Sequence, residues 1–160
     1  MPKLELDAIA QTNATGYPAP FDAAVRGRLY RRLAPVAGLT AMGASHVVLE
    51  PGAWSSQRHW HDDEDELVVM ISGTATLIEG TEGEEPTRTP LRPGDICAWA
   101  AGEGVAHHIV NDSGQPCCFV AIGAGNREGS GGYADIDMLF GPRGYTHKDG
   151  TPYPGKTRPA

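Results

Sequence analysis

The sequence is poor in cysteine, aromatic side chains and basic charge, and it contains no long apolar run. Its three cysteines, Cys97, Cys117 and Cys118, are an odd count without CxxC spacing. That excludes a disulfide framework and a thiolate zinc site, and the three read as small buried apolar residues in a reducing compartment. Thirteen basic residues against 20 acidic ones leave a formal charge of −7, so nothing draws the chain to a phosphate backbone or an anionic membrane. No run of about 18 apolar residues is present to span a bilayer, and MPKLELDAIAQTNATG lacks the apolar centre of a signal peptide. The expectation is a cytoplasmic protein that binds neither nucleic acid nor membrane.

What the sequence does have is turn formers. Glycine (21) and proline (13) together make up about a fifth of the 160 residues, against a usual share of about 12%, as many short strands joined by turns require. The length suits one domain with arms. Residues 1–38 read as an irregular arm, because TGYPAPF and LAPVAG interrupt any regular element. Between them DAAVRGRLYRRL suggests a helical turn or two, with Arg26, Arg28, Arg31 and Arg32 as a solvated or subunit-contacting face. Residues 39–124 carry β-type runs such as ELVVMISG, TATLIEG and CCFVAIG, the pattern of an all-β sandwich or barrel. Residues 125–160 return to Gly, Pro and charge and read as a C-terminal arm over the barrel or a neighbouring subunit.

The stretch RHWHDDEDELVVMISG, residues 58–73, carries the chemistry. On a helix His59 and His61 would point about 200° apart; on a strand they share a face, with Gln57 and Ser55 on it and Arg58 and Trp60 opposite. Asp62, Asp63, Glu64 and Asp65 fit a solvated turn, leaving Glu66 at the start of the next strand, where it can meet the two imidazoles. Alternation from Glu66 sends Val68 and Met70 inward. In AHHIVN only one histidine can face inside: His107 is preferred because Ile109 continues its parity and Asn111 stands where a turn begins, with His108 as the alternative.

These residues resemble the motifs of the cupin superfamily. Gly52, His59, His61, Glu66 and Gly73 follow the first motif, with six residues rather than five between Gly52 and His59. Gly94, Gly102, His107 and Asn111 follow the second, with Ala100 in place of proline and four residues rather than two between Gly102 and His107. The resemblance implies an all-β, double-sheet jelly-roll barrel in which His59, His61, Glu66 and His107 bind one divalent metal. The arms resemble those of small bacterial single-barrel cupins described as sugar-isomerase-like.

Three imidazoles and one carboxylate suit iron, manganese, nickel, cobalt, copper or zinc better than calcium or magnesium. The first expectation is therefore a homodimeric metalloenzyme acting as an isomerase on a small oxygen-rich substrate, a sugar-like or hydroxy-carbonyl molecule, with the metal as Lewis acid. An iron-dependent dioxygenase is one alternative, and a non-catalytic binding protein with a structural metal is another. Gln57 is a candidate for orienting substrate. Glu64, His108, Tyr133, Tyr145 and His147 could carry protons only if their loops fold over the mouth. Trp60 and Trp99 are expected to pack on the outer face or at a subunit contact.

Overall fold

Alternation of apolar and polar side chains decides which face of each strand enters the core. The computed structural model describes residues 3–126 and 128–154. Its strands are β1 (Arg28–Arg32), β2 (Met42–Leu49), β3 (His59–His61), β4 (Glu64–Ser72), β5 (Ala75–Gly80), β6 (Thr87–Leu91), β7 (Ile96–Trp99), β8 (Ala106–Val110), β9 (Cys117–Gly125), β10 (Gly131–Tyr133), β11 (Leu139–Gly141) and β12 (Gly144–Thr146). One sheet runs β1-β2-β9-β4-β7 and the other β12-β11-β10-β3-β8-β5-β6. From β2 to β5, and again from β6 to β9, the chain changes sheet at every connection, as in a double-sheet jelly roll. Among the described residues no helix is long and apolar enough to cross a membrane.

Inward residues of both sheets form one core. Val47, Leu49, Val68, Met70 and Phe119 of the first sheet meet Ala75, Leu77 and Ile109 of the second. Val68 and Met70 thus lie where alternation from Glu66 sends them, and each large side chain so buried contributes roughly 1.5–3 kcal/mol. Gly73 closes the β4–β5 turn at φ +72°, where a Cβ would come within 2.7 Å of the Cys117 Cα and the Pro116 carbonyl. Only glycine fits such a backbone against another chain segment.

The terminal segments are more regular than expected. The stretch expected to be helical contains a 3-10 turn at Ala23–Val25 and then β1, which pairs along its whole length with β2. A five-residue helix, α1 (Leu33–Ala37), follows and ends at Gly38 in the left-handed region. At the other end β10 adds to β3 with Gly131 opposite His61 and Tyr133 opposite His59. Gly131 has no Cβ because one would collide with the Trp60 carbonyl oxygen and the Phe140 ring. The expected arms therefore hold β1 and β10–β12, strands of the two sheets; residues 1–2 and 155–160 of those arms lie outside the described residues.

The two terminal segments also pack on each other, Tyr17 and Val25 against Tyr133, Met138, Phe140 and Tyr145. Arg58, with its side chain 3% exposed, fastens the C-terminal segment to the body: Nε and Nη2 donate to the two Asp135 carboxylate oxygens at 2.9 and 2.6 Å, and Nη1 donates to the Gly80 carbonyl at 3.0 Å.

Asn111 organises the turn after β8. It is fully buried, and its Nδ2 donates to the carbonyls of Leu49 and Gln115 at 2.8 and 2.9 Å. Its Oδ1 accepts from the backbone N–H and hydroxyl of Ser113. Replacing Asn111 by Ala removes the amide donor to the Leu49 carbonyl and one of two donors to the Gln115 carbonyl, which Ser113 Oγ also reaches at 2.9 Å, and chemical denaturation should show a loss of about 1–3 kcal/mol; a loss under about 0.5 kcal/mol would mean that water replaces the amide.

Candidate metal centre

The pairing of β3 with β8 sets His59 opposite His107, and Glu66 approaches them from β4 of the facing sheet. His59 and His61 share a face of β3, with Nε2 atoms 3.1 Å apart. The Glu66 Oε2 lies 3.1 Å from His107 Nε2, 3.4 Å from His61 Nε2 and 3.9 Å from His59 Nε2. Potential ligand atoms of His59, His61 and Glu66 all fall within 4.8 Å of one another. Three of the four side chains singled out in the sequence thus form one cluster, and His107 reaches it through Glu66. His108 is turned away from it: its Nδ1 lies 3.0 Å from the Ser56 carbonyl and its ring stands edge-on to Trp54.

The hydrogen bonds behind the rings assign their tautomers. His59 Nδ1 lies 3.0 Å from the Gln57 carbonyl, and His107 Nδ1 lies 3.1 Å from the Val105 carbonyl. A carbonyl only accepts, so each Nδ1 carries a proton and each Nε2 is turned to the centre. Where His107 Nε2 and Glu66 Oε2 come within 3.1 Å, a proton or a metal cation must lie between them. This donor set fits a transition metal of the iron-to-zinc range, and the carbonyls behind the rings are the usual outer partners of such ligands.

Burial, reinforced by His61 and His107, holds the His59 imidazole well below the ordinary histidine value. Burial pulls the Glu66 carboxyl upward, but hydrogen bonds with His107 and His61 and the charge of the imidazoles outweigh it and hold it well below the usual range. Both folded-state values therefore lie below the unfolded ones. The stability they contribute is present above about pH 6.5 for His59 and about pH 4.3 for Glu66, and it is lost as pH falls toward the folded values. Metal-free protein should melt at progressively lower temperature from pH 7.5 to pH 5, and His59→Gln should flatten that slope. A wild-type melting temperature constant over this range would contradict the assignment.

The centre opens into a partly enclosed cavity of about 870 Å³. Glu64 lines it, contrary to its expected place in a solvated turn: β4 begins at Glu64, two residues before Glu66 and so on the same face. Its Oε2 is 3.6 Å from His61 Nδ1, and its carboxylate fills the space over Gly123 that a Cβ would need. Asp62, Asp63 and Asp65 are exposed, as expected. The parity expectation fails at Gln57, because β3 starts only at His59 and residues 55–58 form bends. The Gln57 amide donates to the Phe21 carbonyl at 2.8 Å, and Ser56 takes its place beside His59, with Oγ 3.1 Å from Nδ1.

Trp99 was also misplaced. It lies opposite Glu66 in the β4–β7 pairing, hence on the inner face, and stacks on His107 at 3.7 Å with the planes 6° apart. Its indole N–H donates to Glu79 at 3.0 Å, so ring and tryptophan hold each other in place. Trp60 stays on the opposite face, donating to Asp62. Tyr133 and Tyr145 line the cavity with Tyr17, because the C-terminal segment does fold over the site, whereas His147 pairs with Asp137 at 2.8 Å away from the cavity. Burial pushes the Tyr17 phenol up to about 12 and raises Tyr133 well above its ordinary value, so both hydroxyls stay protonated. Of the arginines expected on a solvated or subunit face, Arg28 and Arg32 instead line the cavity with Tyr30, since alternation along β1 turns these three inward. Phe140 closes over His61 at 5.4 Å.

The Cupin domain family model matches residues 45–123. No curated protein sequence matches the chain. Among solved structures, one named a sugar phosphate isomerase from a cupin superfamily, from Silicibacter pomeroyi, is 36% identical, with a TM-score of 0.85 over 95% of this chain and 96% of its own. A Cupin 2 conserved barrel domain protein from Salinispora arenicola is 20% identical, with a TM-score of 0.54 over 79% of this chain and 88% of its own. The oxalate decarboxylase of Lactobacillus farciminis, 15% identical, has a TM-score of 0.56 over 75% of this chain and 32% of its own; these last two share the fold alone. With its two-sheet architecture, its histidine and glutamate cluster and a relative matching it end to end, the chain belongs to the cupin superfamily.

Proposed function

We propose that the protein is a metal-dependent isomerase of a small hydroxy-carbonyl substrate, holding one divalent transition metal through His59, His61, Glu66 and His107. The observation that carries this reading is the convergence of backbone-anchored imidazoles and Glu66 in the wall of a cavity of about 870 Å³. A bound metal would supply Lewis acidity toward a substrate carbonyl or hydroxyl. The chain supplies the rest. Glu64, outside the ligand set and facing the cavity, is the candidate base to take a proton from the carbon beside the carbonyl. The tyrosine hydroxyls, kept protonated by burial, are donors to substrate oxygens. Trp99, stacked on His107, fixes one ligand ring and gives the cavity an apolar wall.

The 36% identical relative named a sugar phosphate isomerase supports isomerisation. A purely structural metal is less well supported, because a staple needs neither a cavity nor a second carboxylate in it. Free Cys97, Cys117 and Cys118 accord with a reducing compartment such as the cytoplasm.

Elemental analysis of protein purified without chelators tests the centre: about one equivalent of a first-row transition metal is expected, with His59→Ala and His107→Ala each binding under a tenth as much. Glu64→Gln should keep the metal and lower kcat on hydroxy-carbonyl substrates by 10²–10⁴-fold. A metal-loaded wild type that turns over no such substrate would remove the isomerase reading.

The outer face of the β1-β2-β9-β4-β7 sheet is the proposed homodimer surface. Ile96 (64% exposed), Ile71 (51%) and Met42 (37%) stand on it, beside Val69, which pairs with Ile96. A patch of this kind on a sheet face marks an association site. Light scattering should give twice the chain mass of 16.9 kDa, and Ile96→Glu should shift the mass toward that of one chain. A monomeric wild type at micromolar concentration would refute the dimer.

A further inference from the structure

Besides the ligand cluster, the cavity wall carries a feature that isomerisation alone does not require. Among the described residues Arg28 and Arg32 are the only lysine or arginine residues lining the cavity, against three carboxylates, Glu64, Glu66 and Glu128. Both guanidiniums lie over the Tyr30 ring, with Cζ 5.3 and 5.9 Å from its centroid. Neither has a carboxylate partner among the described residues, whereas Arg26, Arg58 and Arg88 do. Arg28 Nη1 donates to the Ser55 carbonyl at 2.7 Å, which anchors one end of the guanidinium. Its Nη2 reaches the Ala14 carbonyl only at 3.5 Å, and its Nε is enclosed without any acceptor.

An enclosed N–H of a charged group without an acceptor is costly and rare. Arg58 shows what this edge of a guanidinium can hold, since its Nε and Nη2 grip both oxygens of Asp135. At Arg28 the Nη2 is only weakly engaged and the Nε beside it is enclosed, and among the described residues no carboxylate meets either. A planar fork of this kind matches two oxygens of a phosphate or carboxylate.

We propose that Arg28 and Arg32 form an oxyanion subsite, so that the substrate of the cavity is an oxygen-rich carbonyl compound bearing a phosphate or carboxylate group. An incoming oxyanion displaces the long Nη2 bond to Ala14, and the small turn that follows brings Nε onto its second oxygen. Arg32, also within 5.9 Å of the Tyr30 ring centroid, adds the second positive charge. The subsite rests on the preceding functional reading only for what happens at the other end of the substrate.

Calorimetric titration with inorganic phosphate and, separately, with acetate tests the subsite on the full chain, both metal-free and metal-loaded. One oxyanion site is expected in both forms. Its affinity should fall at least tenfold in Arg28→Gln and in Arg32→Gln and stay unchanged in Arg88→Gln, whose side chain is an exposed partner of Asp112. Arg28→Lys, which keeps the charge but lacks the fork, should weaken binding nearly as much and gives the reading if Arg28→Gln does not fold. Tighter phosphate than acetate assigns a phosphorylated substrate, and the reverse order a carboxylate. Binding that is absent, seen only with metal present, or indifferent to the Arg28 and Arg32 changes overturns the subsite. Failure of the metal reading would appear separately, as absence of metal from the wild type.

Discussion

The antiparallel register that sets His59 opposite His107 is the constraint on which the site depends. Slipping β3 by one residue would put Trp60 on the inner face and send both of its histidines outward, because side chains alternate with period two. Several contacts hold that register. The C-terminal segment pairs Gly131 with His61 and Tyr133 with His59, and Arg58, the residue before β3, is gripped by Asp135 from the same segment. The carbonyls of Gln57 and Val105, just outside the two strands, orient the rings. The ligand geometry is thus a property of backbone pairing more than of any single side chain.

That geometry carries an electrostatic cost in the absence of a cation. The burial that lowers His59 keeps its lone pair available, and the same burial would raise Glu66 were it not facing the imidazoles. A positive charge where these groups meet, a proton shared with His107 or a bound cation, would offset that cost. A cavity lined by Trp99, Phe140 and the tyrosines limits water around it and strengthens charge interactions there.

Within a strand the sequence was a good guide. Two-residue alternation placed His59 with His61, Val68 and Met70 with the core, and His107 rather than His108 at the cluster. It failed where the strand boundary was misjudged: Gln57 lies in a bend before β3, and Glu64 is already in β4. It was silent on contributions that need knowledge of which strands pair. Trp99 faces His107 because β7 lies beside β4, and Arg28 and Arg32 reach the cavity because β1 pairs with β2. The run RGRLYRR carries three arginines and a tyrosine in alternation with period two, which could have marked it as a strand with a basic face. The prolines on either side drew the reading toward an arm instead.

The terminal segments lie outside the 45–123 region that the Cupin domain family model covers, yet they build much of the cavity wall. Tyr17, Arg28, Arg32, Tyr133, Phe140 and Tyr145 all come from them. The central strands contribute the four candidate ligands, Glu64 and Trp99, and so decide what chemistry is open to the protein. The flanking segments set the size, polarity and charge of the cavity, which is how one barrel fold can host different sites. It also explains why similarity over the whole chain, as with the relative matched across 95% of these residues, carries more functional weight than similarity confined to the barrel. Only an end-to-end match compares the residues that would touch the far side of the substrate.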